Sequence, residues 1–207
     1  MPRFAPSKIL CVGRNYRAHA AELGNEVPAE PLFFLKPPSC LLEPGGVVLL
    51  PPESERVDFE GELAVVIGKR ARRVPRDHAL DHVQGYTIAC DVTARDLQKR
   101  DGQWTRGKGF DTFCPVGPEV VSGVDPSALT LELFVNDERR QHARTSEMVF
   151  DVADLVARAS AFMTLEPGDL LLTGTPEGVG PLAPGDRVRV TISELGELCF
   201  TVAQEMH

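Results

Sequence analysis

The sequence predicts an α+β fold rich in β-structure, in which a curled or rolled mixed sheet carries a few flanking helices. Many short apolar or alternating segments are bounded by Gly, Pro or charged residues, which is the pattern of strands. Few segments have helical periodicity, and they do not alternate regularly with the strands, so a doubly wound βαβ fold is disfavoured. The 18 Gly and 17 Pro indicate many turns.

The predicted strands are apolar, or alternate between apolar and polar residues, over a short length. They cover residues 8–12, 32–35, 47–50, 60–67, 86–90, 129–135, 169–172, 187–192 and 198–202. Asn136-Asp137 predicts a hairpin turn, and Pro-Gly-Asp at 167–169 and 184–186 predicts a turn before each of two strands.

Helices are predicted at residues 15–23, 77–84, 93–100 and 151–162. The first begins at Asn15, a good N-cap, and ends before Gly24. The last begins at Asp151 and has the clearest apolar stripe. Its members are Val152, Leu155, Val156, Ala159 and Phe162.

Length and charge restrict the function classes. With 207 residues, the chain is predicted to form one domain, residues 1–207, that is stable without a disulfide or a structural metal. With a net charge of -8, the chain lacks the excess of basic residues that is typical of proteins that bind nucleic acids or anionic membranes. No segment resembles a signal peptide or membrane span, so we expect a cytoplasmic protein with small-molecule partners. Five widely spaced cysteines predict buried free thiols.

Two glutamates at the start of a strand are candidate metal ligands. Glu60 and Glu62 lie two residues apart, so both side chains project to one face. Asp91 follows another apolar strand in the same strand-end position. Three carboxylates without Cys or His suit a hard octahedral ion such as Mg²⁺ or Mn²⁺. The alternative is that the glutamates are strand-edge charges and that Asp91 caps the helix near Thr93.

His19 and Glu22 are candidates for acid–base catalysis. Their i, i+3 spacing places both on one face of the predicted N-terminal helix. A carboxylate beside an imidazole fixes its tautomer and raises its basicity, which would make His19 a general base toward water. The alternative is a solvated surface contact.

Three cations and a glycine-rich segment are further candidates for the functional site. Lys36 ends an apolar strand, and Lys108 lies between two glycines. Arg95 follows Asp91 by four residues, so one helical turn would bring its guanidinium back toward the metal to bind a substrate carboxylate. The segment 172–181 would let backbone N–H groups approach an anion, although it is neither a Walker loop nor a Rossmann fingerprint. Solvated surface positions are the alternative for each cation.

Taken in order, these segments resemble the fumarylacetoacetate hydrolase family, specifically its short single-domain branch of acylpyruvases and oxaloacetate decarboxylases. The resemblance covers residues 9–202. It is carried by Cys11-Val12-Gly13-Arg14-Asn15-Tyr16 with His19 and Glu22, Phe34-Leu35-Lys36-Pro37, Glu60-x-Glu62-Leu63, Asp91-x-Thr93-Ala94-Arg95-Asp96, Lys108-x-Phe110-Asp111, and Thr173-Gly174-Thr175-Pro176-x-Gly178-Val179-Gly180. Some members carry His-His where this chain has Asp58-Phe59, a departure that bears on substrate preference.

The resemblance implies a β-roll fold, a homodimer, and Mg²⁺ or Mn²⁺ held by Glu60, Glu62 and Asp91. It also implies that residues 15–29 form an N-terminal lid, whose His19 and Glu22 activate water once the lid closes. Four residues match positions that hold or polarise the substrate in the family, namely Arg95, Gln98, Lys108 and Thr175. We expect Lys36 to contribute to substrate binding as well.

We therefore expect hydrolytic C–C cleavage of a 2,4-dioxo acid, such as an acylpyruvate or fumarylpyruvate, to pyruvate and a carboxylic acid. In this hypothesis the metal chelates the 1-carboxylate and 2-oxo oxygens, and His19 activates water. Lys108, with a lowered pKa, stabilises the adduct or protonates the departing enolate. The alternatives are oxaloacetate decarboxylation, isomerisation or hydration of a 2-oxo acid, and a non-catalytic protein that binds 2-oxo acids.

Overall fold

A computed structural model describes residues 4–22 and 24–206 of the chain, and it confirms the predicted α+β class. The strands are β1 (Ile9–Gly13), β2 (Leu32–Lys36), β3 (Leu41–Leu42), β4 (Val47–Leu50), β5 (Val57–Phe59), β6 (Gly61–Ile67), β7 (Val83–Cys90), β8 (Thr93–Ala94), β9 (Cys114–Val121), β10 (Thr130–Val135), β11 (Glu138–Arg144), β12 (Leu170–Leu172), β13 (Gly180–Pro181), β14 (Arg187–Ile192) and β15 (Gly196–Gln204). The α-helices are α1 (Arg17–Glu22), α2 (Arg95–Asp101), α3 (Thr105–Lys108) and α4 (Val152–Phe162). Within the described ranges, no helix has the length and apolar character needed to cross a membrane.

The largest sheet has seven strands in the order β2-β1-β12-β6-β7-β9-β3. A second sheet has the order β11-β10-β14-β15-β4, and three short strands form the order β13-β5-β8. In the large sheet, β12 is parallel to β1 and antiparallel to β6, and β7 is antiparallel to β6. The carboxyl ends of β1, β7 and β12 therefore meet the amino end of β6 at one edge of the sheet.

Helix α4 confirms the helix predicted at residues 151–162. Its N-cap Asp151 accepts a hydrogen bond at 2.8 Å from the backbone N–H of Asp154. Phe162, which we predicted to complete the apolar stripe, is instead 54% exposed and packs against Phe33. The buried apolar residues of the helix are Val152, Leu155, Val156 and Ala159.

Two predicted helices differ in the structure. Residues 77–84 form a 3-10 helix, Arg76–His82, and β7 begins directly after it. Ala79 is the residue of this 3-10 helix that is buried, so the segment lacks an apolar face that would stabilise a longer α-helix. In residues 93–100, α2 begins two residues later than predicted, because Thr93 and Ala94 pair with β5 as β8.

The N-terminal helix α1 is also shorter than predicted. Its predicted end at Leu23 lies outside the described residues. Asn15 is not its cap, because the Asn15 side chain is completely buried and hydrogen-bonds the backbone of Phe150 and Thr173 instead. This asparagine therefore joins the end of β1 to two distant segments.

The hairpin predicted at Asn136-Asp137 is confirmed, and one long strand was missed. Asn136 and Asp137 join β10 to β11 with φ angles of 51° and 69°, as a type I′ turn requires. Strand β9 contains Pro115, Gly117 and Pro118, which break the strand pattern in the sequence. Pro115 pairs with Leu42 of the two-residue edge strand β3, and Pro118 lies beyond β3, where the pairing of β9 with β7 shifts register between Tyr86 and Ile88.

All five cysteines are free, but one of them is not buried. The prediction of burial is wrong for Cys199, which is exposed. Cys199 lies on the outward face of β15, between the buried side chains of Leu198 and Phe200, because successive strand residues point to opposite faces. The buried thiols belong to Cys11, Cys40, Cys90 and Cys114.

A buried aspartate joins the N-terminal segment to the turn before β12. Asp169 accepts hydrogen bonds from the backbone N–H groups of Ser7 at 3.0 Å, Lys8 at 3.1 Å and Glu166 at 2.7 Å, and its carboxylate pairs with the Lys8 ammonium. Burial alone would raise the pKa of Asp169, but these partners hold that pKa below its usual value.

Replacing Asp169 with Asn is expected to destabilise the protein by about 2–3 kcal/mol at neutral pH, because the amide loses the charge and turns its own N–H groups toward donors. Since the folded-state pKa of Asp169 is lowered, its stabilising effect is present above the unfolded pKa of about 3.9 and is lost as the pH falls through the folded value. Urea unfolding of both proteins at neutral and acidic pH measures the effect. A difference in stability that stays constant in acid would contradict this account.

Candidate active site

Three carboxylates meet where β6 begins and β7 ends. The pairing of these strands places Cys90 opposite Gly61, and the backbone N–H of Asp91 donates to the carbonyl of Glu60 at 2.8 Å. The carboxylate oxygens of Glu60, Glu62 and Asp91 consequently lie within 4.8 Å of one another. All three residues are buried, which excludes solvated strand-edge charges. Asp91 does not cap α2, since Ala94 occupies its N-cap position.

The donor set fits a hard divalent cation. All three candidate ligands are carboxylates, which is the ligand type that Mg²⁺ and Mn²⁺ prefer. Glu62 has no cationic partner among the described residues, and its carboxylate accepts a hydrogen bond at 2.7 Å from the backbone N–H of Gly174. Burial, together with the charges of Asp91 and Glu60, raises the pKa of Glu62 well above its usual value. The charge of Lys108 opposes this rise without forming an ion pair with Glu62, and a buried carboxylate that lacks an ion pair in such a cluster favours a bound cation.

Lys108, at the end of α3, bridges two of the carboxylates. Its ammonium donates to Glu60 at 2.8 Å and to Asp91 at 2.7 Å, and it lies 5.0 Å from the centre of the Phe34 ring. Burial alone would lower the pKa of Lys108, but Asp91 and Glu60 raise it, in contrast to the lowered pKa that we expected. For Glu60, burial alone would raise the pKa, but Lys108 and Arg95 hold it well below its usual range.

Lys36 lies behind the cluster. Its side chain is completely buried, and its ammonium donates to Asp91 at 2.7 Å and to the backbone carbonyls of Val92 at 3.2 Å and Lys108 at 2.5 Å. It does not line the cavity described below, so this arrangement differs from the substrate contact that we expected. The contacts instead fix the position of the Asp91 carboxylate.

Arg95 reaches the cluster from the first residue of α2. Its guanidinium donates to Asp58 at 2.9 Å and to Gln98 at 2.8 Å, and it pairs with Glu60. The helical turn that we expected between Asp91 and Arg95 is absent, because the intervening residues are extended in β8. Asp58 is completely buried and fixes the orientation of Arg95.

The glycine-rich segment after β12 covers another side of the cluster. A backbone N–H of this segment does approach an anion, as predicted, but the anion is a side chain of the protein: Gly174 donates to the Glu62 carboxylate. Gly174 has a φ of +98°, and a Cβ there would lie 2.8 Å from the Cβ of Asn15, so glycine is required. The hydroxyl of Thr175 donates to the carbonyl of Gly61 at 2.9 Å and accepts from Gln141 at 2.8 Å.

His19 and Glu22 lie beside the same site. His19 Nδ1 is 3.2 Å from Glu22 Oε2, and the other oxygen of Glu22 accepts a hydrogen bond at 3.0 Å from the backbone N–H of Gly178. His19 is only 5% exposed, whereas Glu22 is exposed, so a buried imidazole is held by a carboxylate that reaches solvent. The contact at Nδ1 leaves Nε2 as the ring nitrogen that can exchange a proton with a ligand.

A cavity of about 280 Å³ opens over the cluster. It brings together seven of the side chains that the sequence analysis selected, namely His19, Glu60, Glu62, Arg95, Gln98, Lys108 and Thr175. Glu22, Lys36 and Asp91 are outside its lining. The lining also includes residues of the motifs that carried the resemblance, namely Val12, Gly13, Arg14 and Phe34, and Asn25 from the expected lid. Sequence reasoning missed Lys99, Gly102 and Trp104.

Aromatic side chains form one wall of this cavity. The rings of Phe34 and Trp104 meet edge to face with their centroids 5.1 Å apart. A Cβ on Gly13 would lie 2.9 Å from Trp104, so this glycine leaves room for the indole. In the sequence, Trp104 stands out as the single tryptophan and Gly13 as a glycine at the end of a strand. Neither feature shows that the two residues meet.

Comparison with known proteins is consistent with this architecture. Residues 8–203 match the family model described as fumarylacetoacetate (FAA) hydrolase C-terminal. The chain is 47% identical over 206 residues to the mitochondrial oxaloacetate tautomerase of Arabidopsis thaliana, with coverage of 97% of this chain and 92% of the relative.

Two solved structures have the same fold. The 2-hydroxyhepta-2,4-diene-1,7-dioate isomerase from Mycobacterium marinum has a TM-score of 0.92 and 50% identity, covering 99% of this chain and 77% of its own. Fumarylpyruvate hydrolase from Pseudomonas aeruginosa, in complex with Mn²⁺ and pyruvate, has a TM-score of 0.91 and 38% identity, covering 98% and 91%. The match extends over nearly the whole sequence and agrees with the motifs that carried the resemblance. The chain therefore belongs to the fumarylacetoacetate hydrolase family.

Proposed function

We propose that the chain is a divalent-metal-dependent enzyme that interconverts the keto and enol forms of 2-oxo acids. The observation that carries this proposal is the three-carboxylate cluster, with its uncompensated Glu62, beneath a cavity lined by Lys108 and Arg95. The tautomerase and isomerase relatives, at 47% and 50% identity, also lie closer to this chain than the hydrolase at 38%. Keto–enol conversion removes a proton from the carbon beside the 2-oxo group and adds one to the 2-oxo oxygen, or the reverse, and it needs no attacking water.

Each part of the cluster has a separate task in this proposal. Glu60, Glu62 and Asp91 hold the ion, which when bound supplies Lewis acidity toward the oxygens of the 2-oxo acid. Lys108 keeps its proton and its positive charge at the place where an enolate oxygen gains negative charge. Arg95, fixed by its own contacts, uses its remaining N–H groups to bind the substrate carboxylate.

His19 is placed to move the proton. Because Nδ1 lies against Glu22, Nε2 takes the proton from the carbon beside the 2-oxo group, and the 2-oxo oxygen gains a proton from solvent. In the reverse direction the enol oxygen gives its proton to solvent and Nε2 returns a proton to the carbon. We also propose that residues 15–29 form a lid that positions His19, since Glu22 connects α1 to the glycine-rich segment at Gly178.

The His19–Glu22 pair favours a second candidate, the hydrolytic C–C cleavage of a 2,4-dioxo acid to pyruvate and a carboxylic acid. A histidine held by a carboxylate is suited to activate water, which would attack the C4 carbonyl. Lys108 would then stabilise the oxyanion or give a proton to the departing enolate. The relative that carries the name fumarylpyruvate hydrolase supports this candidate.

A substrate panel with metal removal tests both candidates. The conversion of oxaloacetate enol to the keto form, the decarboxylation of oxaloacetate and the hydrolysis of acetylpyruvate are followed separately, first in excess chelator and then after Mg²⁺ or Mn²⁺ is restored. We expect keto–enol conversion to be the fastest of the three and to fall to the uncatalysed rate in chelator. Turnover that survives complete removal of the metal would contradict the proposal.

A further inference from the structure

Arg14 is a half-buried cation that lines the cavity. The other two buried cations of the lining, Lys108 and Arg95, each pair with Glu60 and with a second carboxylate. Arg14, by contrast, has no ion pair or hydrogen bond with any described residue. Arg14 therefore brings to the lining a cation that no described residue neutralises.

The backbone at Arg14 is held in a conformation that a non-glycine residue rarely adopts. Its φ is +60°, in the left-handed region. The next residue, Asn15, enforces this turn, since its buried side chain accepts from the Phe150 N–H at 2.9 Å and donates to the carbonyls of Phe150 at 3.0 Å and Thr173 at 2.8 Å. A strained residue that its surroundings over-determine, at the wall of a cavity, is typical of a functional position.

We propose that Arg14 is a specificity-determining residue that binds the second carboxylate of a dicarboxylic 2-oxo acid. This inference rests on the proposed function and names the substrate class of the same site. The planar guanidinium matches a carboxylate with two parallel hydrogen bonds. The 2-oxo acid end of the substrate then lies at the carboxylate cluster, and the distal carboxylate neutralises Arg14. A monocarboxylic 2-oxo acid of the same length would leave this half-buried charge unpaired.

Calorimetric titration with ligands of equal chain length tests the proposal without turnover. The Mg²⁺-loaded protein is titrated with 2-oxoglutarate and 2-oxopentanoate, and with 2-oxoadipate and 2-oxohexanoate. The members of each pair differ only in the terminal carboxylate. Arg14→Gln removes the charge, Arg14→Lys keeps it, and Lys69→Gln removes one exposed charge outside the cavity lining.

The wild type and Lys69→Gln are expected to bind at least one dicarboxylate more than about tenfold tighter than its monocarboxylate partner. Arg14→Gln should reduce this preference to within about threefold and leave monocarboxylate affinity unchanged, while Arg14→Lys keeps part of the preference. A wild type without preference, or an Arg14→Gln variant that loses both ligands equally, would overturn the assignment of Arg14. Neither result touches the proposed function, which fails instead if the substrate panel shows no metal-dependent turnover.

Discussion

Replacing Glu62 with Gln is expected to abolish divalent-metal binding while leaving the metal-free protein at least as stable as the wild type. Glu62 is buried beside Asp91 and Glu60, has no cationic partner among the described residues and has a strongly raised pKa. Gln keeps the shape and can still accept the hydrogen bond from Gly174, but it removes the charge that the ion requires. We expect activity to fall by more than about a hundredfold, since even the outer partners of metal ligands contribute about 10–100-fold.

Metal binding and the stability of the metal-free protein are measured separately. Titration with Mn²⁺ in a calorimeter measures the loss of binding, and thermal unfolding in chelator measures the stability of the metal-free state. Removing an uncompensated buried charge should stabilise the metal-free protein by about 1 kcal/mol. Glu53→Gln, at an exposed position outside the cavity lining, is the matched control and should change neither quantity. A variant that still binds Mn²⁺ with near wild-type affinity would remove Glu62 from the ligand set.

Replacing His19 with Gln is expected to slow keto–enol conversion and acylpyruvate hydrolysis by roughly 10²–10⁴-fold, the usual contribution of a general base. Both reactions need Nε2 to accept a proton, from carbon in the first case and from water in the second. Decarboxylation of oxaloacetate needs no such proton acceptor, so it should change by less than about tenfold. The three rates of the variant are compared with those of the wild type under the same metal concentration.

The pattern of these three rates separates the roles of His19. His78→Gln, in the exposed 3-10 helix away from the cavity, is the control and should leave all three rates unchanged. Equal loss of all three reactions would indicate that His19 acts through closure of the lid. Loss of hydrolysis alone, with keto–enol conversion intact, would favour the hydrolase candidate and assign another group to the substrate proton.

Much of the fold was predictable because it follows from local patterns. Helix α4 has a capping aspartate and an apolar stripe, and β6 is an apolar run that is buried along its full length. The failures lie where tertiary contacts override local preference. β9 contains Pro118 where its pairing with β7 is irregular, and Asn15 bonds distant carbonyls in place of capping α1.

Part of the candidate site was also predictable from local patterns in the sequence. Glu60, Glu62 and Asp91 follow strand boundaries, and charges at the ends of apolar strands stand out in a sequence. Nothing local distinguishes Trp104 in the same way, and Arg14 stands out only as part of the motif at residues 11–16. Trp104 becomes part of the cavity because α3 packs beside β2, and Arg14 because the turn after β1 is held by another segment.

The sequence by itself determined the α+β class, most of the strands, the family and the set of acidic and basic residues from which the site is built. The tertiary structure decided how those charges are matched: Lys108 joins Glu60 to Asp91, Lys36 lies behind Asp91, and Glu62 and Arg14 lack partners of opposite charge among the described residues. The physical reason is that ion pairing depends on a few ångströms between residues that are distant in the chain. Those distances depend on the pairing of β6 with β7 and β12 and on the positions of β2 and α3 beside them.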